Sequence, residues 1–264
     1  MGEIAGTVQK ALDAEGLESI RVDFPQNIFR DEPGYRRELR QAIARVTPDV
    51  ILPVGHPLAL SRMLDDLAAM GIRAIVEREA LIRQLDGKVS FSALASRLGI
   101  PQPRIYASPQ EVEDAYGVVF KRDVSFGGHG VHQPRNMNSL LNLIAHQKPG
   151  EPYLIEDYIE GEDWSVDALR LGGEFRFSAY RSVASQGKGP STRREMVDAP
   201  QLGEYASRIM EHLGYEGVCG FDFRIDAEGN AFILEANPRF TAGLESQLDA
   251  GFNIPALLVK RKIS

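Results

Sequence analysis

Asp222 and Glu235 are the residues of this chain best placed to do chemistry together. They lie in Gly220-Phe-Asp-Phe-Arg-Ile-Asp-Ala-Glu-Gly-Asn-Ala-Phe-Ile-Leu-Glu-Ala-Asn-Pro-Arg239, where apolar residues alternate on both sides of a turn signal at Glu228-Gly229-Asn230. The pattern predicts a β-hairpin. Paired symmetrically about that turn, Asp222 falls opposite Glu235 and Gly220 opposite Asn237. The same register sets Phe221, Phe223 and Ile225 against Ala236, Leu234 and Phe232, so one face is core and the other carries two carboxylates and an amide. Directly opposed side chains sit ~5 Å apart, where like charges repel. A cation between them relieves that repulsion. Two carboxylates and a carbonyl oxygen on rigid strands suit a hard ion such as Mg²⁺, which takes a few protein oxygens and completes its shell with phosphates. The alternative is a solvated hairpin face whose acids are opposed by chance.

Two further stretches have the residue types for nucleotide chemistry. Val118-Val-Phe-Lys121 is a short apolar strand ending on a cation, and Gly127, Gly128 and Gly130 follow it. Glycines allow positive φ and bring backbone N–H groups close to an anion, while the strand-end lysine can meet phosphates. A flexible turn is the competing explanation, and no Gly-Lys-Ser/Thr follows to make this a Walker A loop. The second stretch is Tyr153-Leu-Ile-Glu156-Asp157-Tyr158-Ile159-Glu-Gly-Glu-Asp163. It reads either as an exposed strand end, which spacing alone favours, or as a hinge whose backbone meets an adenine edge.

These segments need elements to hold them. Residues 1–83 alternate helical and strand patterns: a helix over Glu3–Glu15, a strand over Ser19–Phe24, and a helix carrying Tyr35, Leu39, Ile43 and Val46. The apolar run Asp49–Val54 and the strand Ile72–Val76 flank a helix opened by Gly55-His-Pro57. Such β/α alternation implies a small doubly wound sheet, although the chain starts on a helix where a strand and Gly-rich turn are usual. From Lys88 the pattern changes. An amphipathic helix ends at Gly99-Ile-Pro101, short strands and one helix follow, and a long hairpin turns at Gly172-Gly173 before the helix Gln201–Leu213.

Composition narrows the function classes. The 264 residues carry a formal net charge of −7, which argues against non-specific binding to nucleic acid or anionic membranes. A single cysteine, Cys219, permits no internal disulfide and falls on the core face of its strand, where an inert thiol is expected. No apolar run approaches the ~20 residues needed to span a bilayer, and no signal-peptide pattern opens the chain. A cytoplasmic location is the expectation.

Taken in order, these pieces resemble the ATP-grasp superfamily. Asp86-Gly-Lys88 precedes a helix ending in Gly99-Ile-Pro101, and Lys121 precedes Gly127, Gly128 and Gly130. Glu156-Asp157-Tyr158-Ile159 matches the adenine hinge, and Gly161-Glu-Asp163 matches the ribose step, with Asp163 standing where the family more often has Glu, so Glu162 competes for that role. Asp222 followed thirteen residues later by Glu235-Ala-Asn-Pro-Arg239 matches the metal motif. The ending and the loop Ser185–Ser191 look most similar to the carbamoyl-phosphate-synthase-like carboxylate–amine ligases. The implied organisation is an α/β domain over 1–83, shortened at its start. An ATP-grasp fold over 84–264 would follow, made of α+β parts 84–154 and 155–264 with ATP between them.

The chemistry implied by the resemblance is ATP-dependent activation of a small carboxylate as an acyl phosphate, followed by attack of an amine and release of ADP and phosphate. Such transfer needs positioning and charge neutralisation more than a protein nucleophile. Asp222, Glu235 and Asn237 would hold Mg²⁺ (or Mn²⁺), and Lys88 and Lys121 would meet the phosphates under the Gly127–Gly130 backbone. Arg239 would hold the substrate carboxylate or developing oxyanion, with Arg181 a weaker candidate whose other reading is a solvated strand arginine. The partners implied are small-molecule carboxylate and amine substrates, without nucleic acid or membrane, and a homodimer is compatible. An ATP-binding regulatory or partial subunit of a larger assembly is the alternative function. His56 could line a pocket but reads better as a surface cap, Arg193-Arg194-Glu195 reads as a solvated loop, and His132, His146 and His212 lack metal-ligand spacing.

Overall fold

The computed structural model describes residues 2–25, 31–124, 130–183 and 193–263. It opens with helices α1 (Gly2–Asp13) and α2 (Glu32–Val46). Helix α2 begins where Asp31 accepts the backbone N–H of Gly34 and ends at Thr47 in the left-handed region, just before Pro48 forbids continuation. Strands β1 (Val50–Ile51) and β2 (Arg73–Ala74) pair in parallel around α3 (Pro57–Ser61) and α4 (Leu64–Ala69), and α5 (Glu79–Asp86) follows. Tyr35, Leu39, Ile43, Leu60, Met63 and Leu67 form the core of this part. The strand expected over Ser19–Phe24 does not form: among the described residues no strand is assigned there or pairs with it, and Ile20 and Val22 stay exposed. Alternation without a pairing partner does not make a strand.

Helix α6 (Lys88–Arg97) leads to a three-stranded antiparallel sheet in the order β4 (Val131–His132), β3 (Val118–Arg122), β5 (Tyr153–Asp157), with α7 (Met137–Ala145) behind it. The expected strand near Arg104–Tyr106 is reduced to one bridge, between Ile105 and Glu156. The larger sheet has five antiparallel strands in the order β10 (Ala231–Asn237), β9 (Gly217–Ile225), β6 (Glu162–Leu171), β7 (Glu174–Val183), β8 (Arg193–Val197). Helices α8 (Pro200–Leu213), α9 (Leu244–Asp249) and α10 (Ile254–Ile263) complete the described chain. No helix among the described residues is long and apolar enough to cross a membrane.

Strand alternation divides the large sheet sharply. Val166, Ala168, Phe221, Phe223, Ile233 and Ala236 bury against Phe91 and Leu94 of α6 and Ala206, Ile209 and Met210 of α8. The opposite face carries Asp222, Gly220, Asp167, Tyr180, Arg194, Glu235 and Asn237 in register. The hairpin pairs Asp222 with Glu235 and Gly220 with Asn237, as the sequence predicts, but the partner of Phe223 is Ile233 instead of Leu234. A bulge at Leu234 takes up one residue, so Ile233 enters the core and Phe232 pairs with Arg224.

The hinge between the two sheets depends on Gly161. A Cβ added there would fall 2.0 Å from the carbonyl oxygen of Ile225, a backbone atom that cannot yield cheaply. Gly161→Ala should therefore destabilise the protein by about 1–3 kcal/mol in urea unfolding. Gly6, in α1 with nothing within 4 Å of an added Cβ, is the control. Gly6→Ala should be neutral or stabilise by up to ~1 kcal/mol.

Candidate functional site

The two sheets and α6 bring charged side chains to one place. Lys88 opens α6, is 5% exposed, and reaches Glu235 Oε2 at 3.3 Å. Its position is fixed by Asp123 after β3, whose backbone carbonyl accepts from Lys88 N at 3.1 Å and whose Oδ1 accepts from Val89 N at 2.8 Å. Lys121, at the end of β3, pairs with Glu156 of β5 at 2.5 Å and donates to the Leu234 carbonyl at 3.4 Å. The bulge that turns Leu234 out of its ladder thus supplies the carbonyl that Lys121 meets. Both members of the Lys121–Glu156 pair are buried, so removing one would strand a charge at a cost of about 3–5 kcal/mol.

Asp222 and Glu235 behave as an unequal pair. Burial and the neighbouring Glu235 push the Asp222 carboxyl up to about 7. Burial also opposes ionisation of Glu235, but Lys88 and Lys121 outweigh it and hold that carboxyl below its usual range. Asn237 Nδ2 donates to Asp222 Oδ2 at 3.0 Å, and Arg239 Nη2 donates to Asn237 Oδ1 at 2.9 Å. Arg239 Nη1 donates to the Phe240 carbonyl at 3.2 Å, so these guanidinium bonds go to neutral oxygens. Among the described residues no group of three or more His, Cys, Asp or Glu side chains is placed to hold a metal ion. Two carboxylates and an amide, one carboxyl raised to about 7 by burial and its neighbour's charge, fit a divalent cation that shares its shell with phosphates.

The hinge end of the site is also assembled, with differences in detail. Asp163 pairs with Arg224 at 2.8 Å; Arg224 Nη1 donates to the Ile159 carbonyl at 3.2 Å and its guanidinium lies 5.7 Å from the Tyr158 ring centre. Glu156 turns inward to Lys121, and Asp157 points to the other side of its sheet, where Tyr106 OH donates to it at 2.6 Å. Only their backbone is left for an adenine edge. Gly130 is buried beside β3, and Gly127, Gly128 and His129 lie outside the described residues.

Three sequence expectations change. Arg181 pairs across the sheet with Trp164 and Glu195, on the face opposite Asp222, and bonds Glu195 at 2.9 Å. Strand parity excludes it from the site, leaving its strand-arginine reading. His56 is no surface cap: it makes no side-chain cap bond, sits at φ 51, and burial and then Arg239 lower its pKa. Arg194 is no solvated loop residue: it sits on β8 in register with Ser182, on the carboxylate face, with a buried Nη1. The alternation Arg194-Glu195-Met196-Val197, read as a strand, carried that signal. Asp167 was likewise legible as a lone acid within the apolar run Val166–Leu171.

Residues 150–264 match a family model described as "ATP-grasp in the biosynthetic pathway with Ter operon". The arginine-specific carbamoyl phosphate synthase large chain of Geobacillus stearothermophilus is 25% identical over 256 residues, covering 87% of this chain and 24% of the relative. The chain therefore spans about a quarter of the length of the curated relatives it matches. Among solved structures, the biotin carboxylase–β,γ-ATP complex of Campylobacter jejuni superposes with TM-score 0.80 at 17% identity, over 98% of this chain and 68% of that one. The L-amino acid ligase of Bacillus licheniformis gives TM-score 0.70 at 16% identity, over 97% and 71%. Residues 150–264 thus carry the match to an ATP-grasp family, the chain is similar in sequence to carbamoyl phosphate synthase large chains, and its fold is that of biotin carboxylase and L-amino acid ligase.

Proposed function

We propose that this protein is an ATP-dependent carboxylate–amine ligase, using ATP to convert a small carboxylate into an acyl phosphate that an amine then captures. The observation that carries this reading is the shared site of Asp222, Glu235, Asn237 and Arg239 with Lys88 at its rim. Nucleotide binding alone does not require a guanidinium beside a paired-carboxylate cation site. Asp222, Glu235 and Asn237 would hold Mg²⁺, which neutralises phosphate charge when bound. Lys88 and Lys121 would place positive charge on the phosphates, and the Tyr158–Ile159 backbone would face adenine. Arg239, tethered to Asn237, would orient the donor carboxylate by a bidentate fork toward the γ-phosphorus. The carboxylate oxygen then forms the new O–P bond as ADP leaves, and the amine nitrogen displaces phosphate from the acyl carbon. No protein nucleophile is used; the single thiol, Cys219, is buried and its pKa raised by burial.

Glu235→Gln should preserve the fold and abolish ADP release with carboxylate and amine supplied; turnover at the normal rate would defeat the cation assignment. ATP should also raise the melting temperature much more with Mg²⁺ than with a chelator.

Lys121 cannot be tested by truncation alone, because Glu156 would be left buried and charged. The double variant Lys121→Met/Glu156→Gln removes both charges. It should weaken ATP binding by about tenfold or more while adenosine, lacking phosphates, binds nearly as before. Equal losses measured by calorimetry would mean that the pair serves folding only.

Arg239→Lys keeps the charge but loses the planar fork, so turnover should fall at least ~10-fold with ATP affinity little changed. With ¹⁸O in the donor carboxylate, released phosphate should carry one label. Tight Mg-ATP binding without ADP release from any carboxylate would support instead the reading as a regulatory or partial ATP-binding subunit.

A further inference from the structure

The face that carries Asp222 and Glu235 also carries a buried polar cluster with no role in the reading above. Asp167 on β6 is 8% exposed; its Oδ1 accepts from Thr241 Oγ1 at 2.5 Å, and its Oδ2 has no partner among the described residues. Arg194, two strands away on β8, presents a buried Nη1 that is also without a partner among them. Tyr180 of β7 is fully buried on the same face, and its hydroxyl, though near Ser178 and Gln247, makes no well-formed hydrogen bond. Buried polar groups in native proteins are nearly always satisfied. Three unsatisfied atoms on one face, beside the site, point to a ligand that both donates and accepts.

The charges specify its chemistry. Asp167 is flanked by two guanidiniums, Arg194 and Arg239, which act on it electrostatically against the cost of its burial. Arg194, on the same sheet face by strand register, also acts electrostatically on Asp222. Asp167 can lie this deep because Gly243 and Gly220 bare the backbone beside it: an added Cβ would come within 2.0 Å of Oδ2 at the first and 3.3 Å of Oδ1 at the second. Its bonded oxygen meanwhile holds Thr241, two residues beyond Arg239, so the carboxylate and the guanidinium fork share one support. Guanidinium groups acting on a buried carboxylate whose second oxygen lacks a hydrogen-bond partner are complementary to a molecule with a carboxylate next to an ammonium group.

Building on the carboxylate-activating reading, we propose that the donor substrate is an α-amino acid or similarly small zwitterion. Its carboxylate is held between Arg239 and Arg194 and its ammonium group by Asp167 Oδ2. Bicarbonate or a 2-hydroxy acid offers no ammonium to Asp167 and leaves that oxygen without a charged donor.

The test is ADP release by the full chain with Mg-ATP, using as donors a panel of L- and D-amino acids, their 2-hydroxy counterparts and bicarbonate, with ammonia and glycine as acceptors. At least one amino acid should exceed its hydroxy counterpart in kcat/KM by about tenfold or more. Asp167→Asn should raise KM for that amino acid by about tenfold or more and erase the preference over the hydroxy acid. Arg194→Gln should weaken both donors alike. Equal or better turnover of hydroxy acids or bicarbonate, or an undiminished preference in Asp167→Asn, overturns the inference while leaving the ligase reading intact. If Asp167→Asn does not fold, the wild-type panel decides alone, because absence of the preference overturns the inference. Mg-ATP binding with no ADP release from any donor overturns instead the ligase reading on which it rests.

Discussion

The repulsion between Asp222 and Glu235 is the constraint around which the rest of this protein is arranged. Two carboxylates opposed across a hairpin, and largely removed from water, cannot both ionise without positive charge nearby. The protein answers asymmetrically. Lys88 and Lys121 act on Glu235 and keep it ionised, whereas burial and the charge of Glu235 raise Asp222 to about 7. A site built this way is incomplete by itself and complementary to a cation with its anionic ligand. The same arrangement explains why the two lysines come from different elements, since no single strand or helix could place both around one carboxylate.

Holding those lysines requires much of the remaining fold. Asp123 anchors the start of α6 to the end of β3, so Lys88 and Lys121 are positioned by one junction. Lys121 is further fixed by Glu156 and by the Leu234 carbonyl, which link the small sheet to the edge of the large one. Beneath, Phe91 and Leu94 of α6 pack on the core face of the hairpin with Phe221 and Ala236. The sheet therefore serves as a partition, with apolar side chains fixing it on one side and the charged residues held rigidly on the other. Rigid strands suit this task, because catalysis by charge neutralisation depends on dipoles and charges that need not reorganise during reaction.

Asp167 and Arg194 extend the same logic away from the hairpin. Both lie on the carboxylate face by strand parity, Asp167 buried and Arg194 with a buried Nη1, and each carries an atom that no described residue satisfies. Arg181 differs from Arg194 by thirteen positions along the chain and by one sheet face in space, and that difference separates a surface ion pair from the site.

The chain's local patterns determined a good deal. Period-two alternation about Glu228-Gly229-Asn230 set Asp222 against Glu235 and Gly220 against Asn237, because pairing outward from a short turn leaves little freedom near the carboxylates. Helical spacing and end signals were enough for α2, α6, α7 and α8, where capping residues and apolar stripes act within a few residues of each other. What failed depended on partners distant in sequence. Ser19–Phe24 alternates like a strand but finds no edge to join, and the bulge at Leu234 has no local mark, since it is fixed by packing of Ile233 and by Lys121 from another sheet. The sequence marks Glu156 as part of a hinge, and only the tertiary structure shows its side chain paired with Lys121. The two arginines were misordered for the same reason. Residue type tells that a guanidinium can bind an anion; which side of the sheet it reaches is decided by the register of strands that pair across the whole domain.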